Sequence, residues 1–220
     1  MLFNRRDFMA ACGAAYATPL LHPSETAEAA SLPSPAVNET WDMSWVARVK
    51  GKYRAVFDSP GFSDGAGLFR AAIWRRQYKD VFATTPADMT AVLVVRHQAI
   101  WLAMTDDFWR KYNVGKRQKF KDSEKKQWYD HNPVALVPSG TPSEFDVNIP
   151  KFIADGNIVL ACNLAFGSVI SLVRQEEKLT QDEAEKSARG CLLPGVILQP
   201  SGVFAALHAQ EAGCRYILAS

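Results

Sequence analysis

Cys162 is the residue with the most chemistry within its reach. It lies in "NIVLACNLAFGSVISLV", residues 157–173. The apolar, β-branched half before it reads as a buried strand and the half after it as a helix, so the thiol falls where the two meet. A side chain at that point sits beside unpaired backbone N–H groups and the positive end of the helix dipole. Such a setting favours thiolate over thiol, and the thiolate is the nucleophile. His97, at the end of a second apolar run, "AVLVVRH" (91–97), could assist by charge or proton transfer. The same cysteine has a plainer reading as packing beside Leu160 and Leu164, because cysteine is among the most buried residue types. The residues alone leave both readings open.

In an open α/β sheet, ligands collect beyond the carboxyl ends of the strands. The expected strand ends present Asp58-Ser59, Arg96-His97, Cys162-Asn163 and Gln199-Pro200-Ser201. Cys162 and His97 are therefore the candidate catalytic pair. Asp58, Arg96, Asn163, Gln199 and Ser201 are candidate ligand-binding residues. Asn132 joins them by another route. Residues 111–146 interrupt the alternation of strand and helix with "KYNVGKRQKFKDSEKK", which holds seven basic and two acidic residues, followed by aromatics, Pro and Gly. Loops this long in a compact domain are functional or mobile. One reading is a lid whose Trp128, Tyr129, His131 and Asn132 cover a site; the other is a solvated insertion.

Other chemistries find little support. Gly61, Gly65 and Gly67 follow a strand, but their spacing fits neither the dinucleotide fingerprint nor the phosphate loop. No short-spaced pair of metal ligands occurs, so neither metal nor cofactor is expected. Cys191 and Cys214 could form a disulfide, which spacing cannot decide.

The elements that must position these residues follow from periodicity and punctuation. Strands are expected over 53–60 and 91–97, then at "NIVLACN", "GVILQP" and "CRYILAS". Helical spacing covers 68–82, with Leu68, Ala72, Trp74, Tyr78 and Phe82 facing inward, and 98–112. A short helix ends at Gly156. The helix after Cys162 carries Leu164, Val169, Ile170 and Val173 as its stripe. Thr180 with Glu183 three residues on forms a capping box. Ser201 caps the last helix and Gly213 stops it. The pattern predicts an α/β domain over 46–220: three layers, doubly wound, with a mainly parallel five-stranded sheet of the flavodoxin-like kind.

Composition sets outer limits. Hydrophobic residues at 48% and charged residues at 22% suit a globular core. A net charge of +2 does not point to nucleic acid. No run approaches the roughly 20 apolar residues of a membrane anchor. The N-terminus, "NRRDFMAACGAAYATPLL", pairs Arg5-Arg6 with Phe8-Met9 and then a weakly apolar stretch, which resembles a twin-arginine export signal. Ala27-Glu28-Ala29 offers small residues where a signal peptidase reads, so cleavage is expected after Ala29. Residues 1–29 are then a signal peptide, 30–45 a Pro/Ser-rich linker, and the protein is expected in the periplasm. Cleavage would leave Cys162, Cys191 and Cys214 of the four cysteines. An odd count in an oxidising compartment leaves one thiol without an intramolecular partner.

From "NIVLACNLAFGSVI" through "LTQDEAEKSARGCLLPGVILQPSGVFAALHAQEAGCRYI", the order of elements resembles the DsrE/DsrF-like family of small α/β sulfur-relay proteins. The shared pattern is a strand ending in cysteine, an alanine-rich helix, a short acidic helix, a Pro-Gly-Val strand, a Ser-Gly-started helix and a last strand. The resemblance covers most of residues 50–220. It implies that Cys162 accepts and passes on persulfide sulfur. On that reading, His97 is expected to tune the sulfur and Asn132 or Gln199 to hydrogen-bond the bound group. It also implies a small sulfur compound or thiol-carrier protein as partner, and a homo-oligomer. The alternative is a non-catalytic periplasmic small-ligand-binding or assembly protein of the same fold, with an inert Cys162.

Overall fold

The computed structural model describes residues 41–122, 125–135 and 147–219. The expected signal peptide, most of the linker and residues 136–146 of the expected lid lie outside them. In chain order the elements are β1 (Tyr53–Ser59), α1 (Ala66–Phe82), β2 (Met89–Val95), a 3-10 segment (His97–Ala103), α2 (Asp106–Tyr112), α3 (Val114–Gln118) and α4 (Ile149–Ala154). There follow β3 (Ile158–Cys162), α5 (Asn163–Glu177), α6 (Gln181–Gly190), β4 (Val196–Gln199), α7 (Gly202–Glu211) and β5 (Arg215–Leu218). The strands form one sheet in the order β4-β3-β2-β1-β5, and every neighbouring pair is parallel. The three-layer, doubly wound, flavodoxin-like α/β class expected from the sequence is the one observed.

Handedness explains the layers. From β1 to β4 the chain steps one place at a time in a single direction, so right-handed crossovers put α1 to α6 on one face. The move from β4 to β5 returns across the whole sheet, and the same handedness puts α7 on the other face. The core divides accordingly. Ala55, Phe57, Leu93, Val95, Val159 and Ala161 meet Leu68 and Ala71 of α1, Phe108 and Trp109 of α2, and Phe166, Val169 and Val173 of α5. Val56, Val92, Val94, Ile158 and Leu160 meet Ala205 and Ala209 of α7 and Trp45. Alternation of successive strand residues between the two faces is the reason.

Several expectations are corrected. Residues 98–112 are not one helix. Met104 pairs in an antiparallel bridge with Leu192, and Thr105 starts α2 by accepting from the Phe108 N–H at 3.4 Å. Thr105-Asp106-Asp107 is a helix-start signal inside an otherwise helical pattern. On α5, Leu164 is 75% exposed and Phe166 takes the inward place. On α1 the inward residues are Leu68 and Ala71, while Phe82 is exposed. Trp45, counted to the linker from sequence, is fully buried in the second core. The insertion is not all solvated either: Val114, Phe120 and Val134 enter the first core, and Phe120 stacks on Phe62 at 3.9 Å between ring centroids. Cys191 and Cys214 are both free. They pack on opposite faces of the sheet, so they do not pair.

Candidate functional site

The chain leaves β3 for the first face and β4 for the second, so the starts of α5 and α7 diverge at the carboxyl end of the sheet. Such a point of divergence is where doubly wound sheets leave a crevice. A cleft of about 540 Å³ lies there, bordered by Arg96, His97 and Trp101 after β2, by Cys162 and Leu164 at the start of α5, and by Ser201 and Val203 at the start of α7.

Cys162 is the last residue of β3 and the N-cap of α5, and its Sγ accepts a hydrogen bond from the Ala165 N–H at 3.4 Å. It is 6% exposed. Ser201 does the same for α7, accepting from the Phe204 N–H at 3.0 Å. The register pairs Cys162 with Gln199 across β3 and β4, and Ala161 with Val95 across β3 and β2. Arg96 follows Val95 and extends the ladder by donating its N–H to the Ser59 carbonyl at 3.1 Å. The strand ends on either side of Cys162 are therefore Arg96 and Gln199.

Arg96 is held from behind. Its Nε and Nη2 donate to Oδ1 and Oδ2 of Asp58 at 2.7 and 2.9 Å, and the Tyr216 hydroxyl donates to Oδ2 at 2.7 Å. Asp58 is 2% exposed, so its carboxyl lies below the cleft rather than in it. These bonds raise the pKa of Arg96 and also that of the Tyr216 phenol, which is kept neutral as a donor. Above Arg96 the chain has glycine for a reason. A Cβ on Gly202 would stand 2.6 Å from both Cβ and Cδ of Arg96, so the absent side chain lets α7 begin directly over the guanidinium stem.

His97 has φ +47° and is exposed. A non-glycine residue in the left-handed region carries local strain, and such residues cluster at functional sites. Here the strain turns the chain out of β2 into the 3-10 segment and sets the imidazole at the cleft.

The other candidates lie elsewhere. Asn132 is fully buried away from the cleft. Its Nδ2 donates to the Leu102 and Met104 carbonyls at 2.9 and 2.6 Å, and its Oδ1 accepts from the Val134 N–H at 3.1 Å. It staples the break between the 3-10 segment and α2. Trp128, Tyr129 and His131 also do not line the cleft. Gln199 is buried and donates through Nε2 to the Asp42 and Leu198 carbonyls, tying the entering chain to β4. Asn163 faces a different hollow, bordered by Trp41, Asp42 and Arg189 along β4. The structure thus brings Cys162, His97, Arg96 and Ser201 together, with Asp58 behind them, and leaves Asn132, Asn163 and Gln199 outside. Tyr216 was missed from sequence, because it reaches Asp58 only through the pairing of β5 beside β1.

Burial pushes the Cys214 thiol up to about 11 and raises that of Cys191 as well. Among the described residues no three of His, Cys, Asp and Glu come together as a metal-ligand set, and no helix is long and apolar enough to cross a membrane. No family model matches the chain, and no curated protein matches it significantly.

Proposed function

We propose that the chain is an exported DsrE-like protein that accepts reduced sulfur as a persulfide on Cys162 and passes it to a small thiol or a thiol-carrier protein. One observation carries the reading: the Cys162 sulfur takes an amide of α5 and at the same time borders a cleft shared with Arg96, His97 and Ser201. The Arg5-Arg6 motif and Ala27-Glu28-Ala29 support export to the periplasm.

The step balances without an external oxidant. Cys162 Sγ, as thiolate, attacks the outer sulfur of a donor persulfide R–S–SH. A bond forms between Sγ and that sulfur, the donor S–S bond breaks, and its electron pair leaves with R–S⁻. Arg96 supports negative charge at the cleft and His97 receives or returns the proton. Leu164 and Val203, 75% and 61% exposed, give an incoming carrier an apolar rim.

The low exposure of Cys162 favours a second reading, a non-catalytic small-ligand-binding protein in which the thiol is packing. Incubation of the purified full chain with a persulfide donor, followed by intact and peptide mass spectrometry, separates the two. The first reading expects about 32 Da, one sulfur atom, added at Cys162 and none in Cys162→Ser. Persulfide absent from Cys162, or present equally on Cys191 and Cys214, contradicts it.

A further inference from the structure

A second cleft lies at the opposite end of the sheet. β5 begins at Arg215, opposite Ala55, so Tyr53 and Arg54 run past its end and leave a notch in the sheet edge. α1 lies over β1 and β2, and its Trp74 and Tyr78 form one wall of the notch. The hollow measures about 580 Å³ and its cationic side chains are Lys52, Arg54 and Arg215. Among the described residues no acidic side chain borders it.

The walls are preset. Tyr78 meets Tyr53 edge-on at 5.0 Å, and Trp74 packs on Tyr78 at 5.3 Å and on Phe57 at 5.7 Å. Arg54 lies across Gly213, whose φ of +90° and missing side chain admit the guanidinium; a Cβ there would stand 3.0 Å from Cζ. Its Nη1 reaches the Ala212 carbonyl at 3.4 Å, while its Nε–H is buried without an acceptor. A buried donor left without a partner is costly, and a ligand oxygen would relieve it. Among the described residues neither Arg54 nor Arg215 has a carboxylate partner, while Lys52 feels the charge of Asp88 from outside the notch.

We infer that this notch binds a small aromatic phosphate of mononucleotide size, with the phosphate on Lys52, Arg54 and Arg215 and the ring against the aromatic wall. The volume falls within the roughly 300–1,000 Å³ of ligand pockets. Guanidinium groups match phosphate oxygens in pairs, and planar rings stack on aromatic faces.

The test is calorimetric and fluorescence titration of the full chain with adenosine 5′-monophosphate, with inorganic phosphate and adenosine as separate arms. The expected result is saturable binding that quenches Trp74, lost as a signal in Trp74→Phe. Each half-ligand should bind at least about tenfold more weakly than the whole. Lys52→Ala/Arg215→Ala, which changes two exposed residues, should weaken binding by about tenfold or more and leave sulfur uptake at Cys162 unchanged. Absence of saturable binding, affinity within about twofold of the parent in the double variant, or equal affinity for inorganic phosphate overturns the proposal. Much tighter binding of a short single-stranded oligonucleotide also overturns it, since the notch would then serve nucleic acid.

Discussion

Replacing Asp58 by Asn removes the charge that Arg96 and Tyr216 share while keeping the side chain's shape. Asp58 is 2% exposed and accepts three hydrogen bonds of 2.7, 2.9 and 2.7 Å, two of them from a guanidinium whose side chain is 20% exposed. An exposed ion pair would be worth about 0–1 kcal/mol. Removing one partner of a buried pair costs about 3–5 kcal/mol, because the remaining charge is left uncompensated. Arg96 retains some water, so the lower end applies, about 3 kcal/mol. For a chain of 220 residues, that is a fall in Tm of roughly 6–12 °C. The assay is chemical and thermal denaturation of the parent, Asp58→Asn, Arg96→Met and the double variant. The double variant should be more stable than the sum of the single losses predicts, with a coupling of about 2 kcal/mol. A loss below about 1 kcal/mol in Asp58→Asn, or simple additivity, would refute the claim that Asp58 holds Arg96 at the cleft.

Two more outcomes follow. The Cys214 thiol has a folded pKa of about 11 against an ordinary 9.0 because of burial. The folded state therefore holds that proton more tightly than the unfolded chain. The resulting stability is present below pH 9 and lost as pH rises toward 11, a loss of about 2–3 kcal/mol. Urea unfolding at both pH values should show a steeper loss in the parent than in Cys214→Ala, where Cys191 and Tyr216 still contribute; an equal slope in both removes Cys214 as a source. Asn132→Ala strands two buried carbonyls and the Val134 N–H. It should cost about 2–4 kcal/mol while leaving the alkylation rate of Cys162 unchanged well below Tm. A folded variant with a much slower Cys162 would instead place Asn132 in the site.

What the sequence made legible was what acts over three or four residues. Thr180 and Glu183 form the expected capping box, with Glu183 Oε2 accepting from the Thr180 N–H at 3.0 Å. Ser201 caps α7, and Cys162 stands at the strand–helix junction where the change of periodicity put it. Strand alternation likewise set the parallel sheet. Features that depend on strand order were not legible. Tyr216 reaches Asp58 only because β5 returns to the free edge of β1, and no local signal encodes that return. The fault at Thr105 was written in the sequence as a cap but masked by apolar residues on both sides that keep helical spacing. Leu164 was assigned inward by spacing, yet in the first turn of α5 Phe166 takes the inward place and Leu164 borders the cleft. Asn132 looked like a ligand residue because it is polar and lies in a loop; its partners are three backbone groups brought together by folding.

The account turns on whether the Cys162 sulfur can be reached and reacts. Limited alkylation of the native full chain with iodoacetamide at neutral pH, read cysteine by cysteine by peptide mass spectrometry, tests this directly. Labelling of Cys162 at least about tenfold faster than of the buried Cys214, and slowed by Asp58→Asn, is the predicted result. Labelling of Cys162 as slow as that of Cys214 would contradict the account and leave Cys162 as packing at the end of β3.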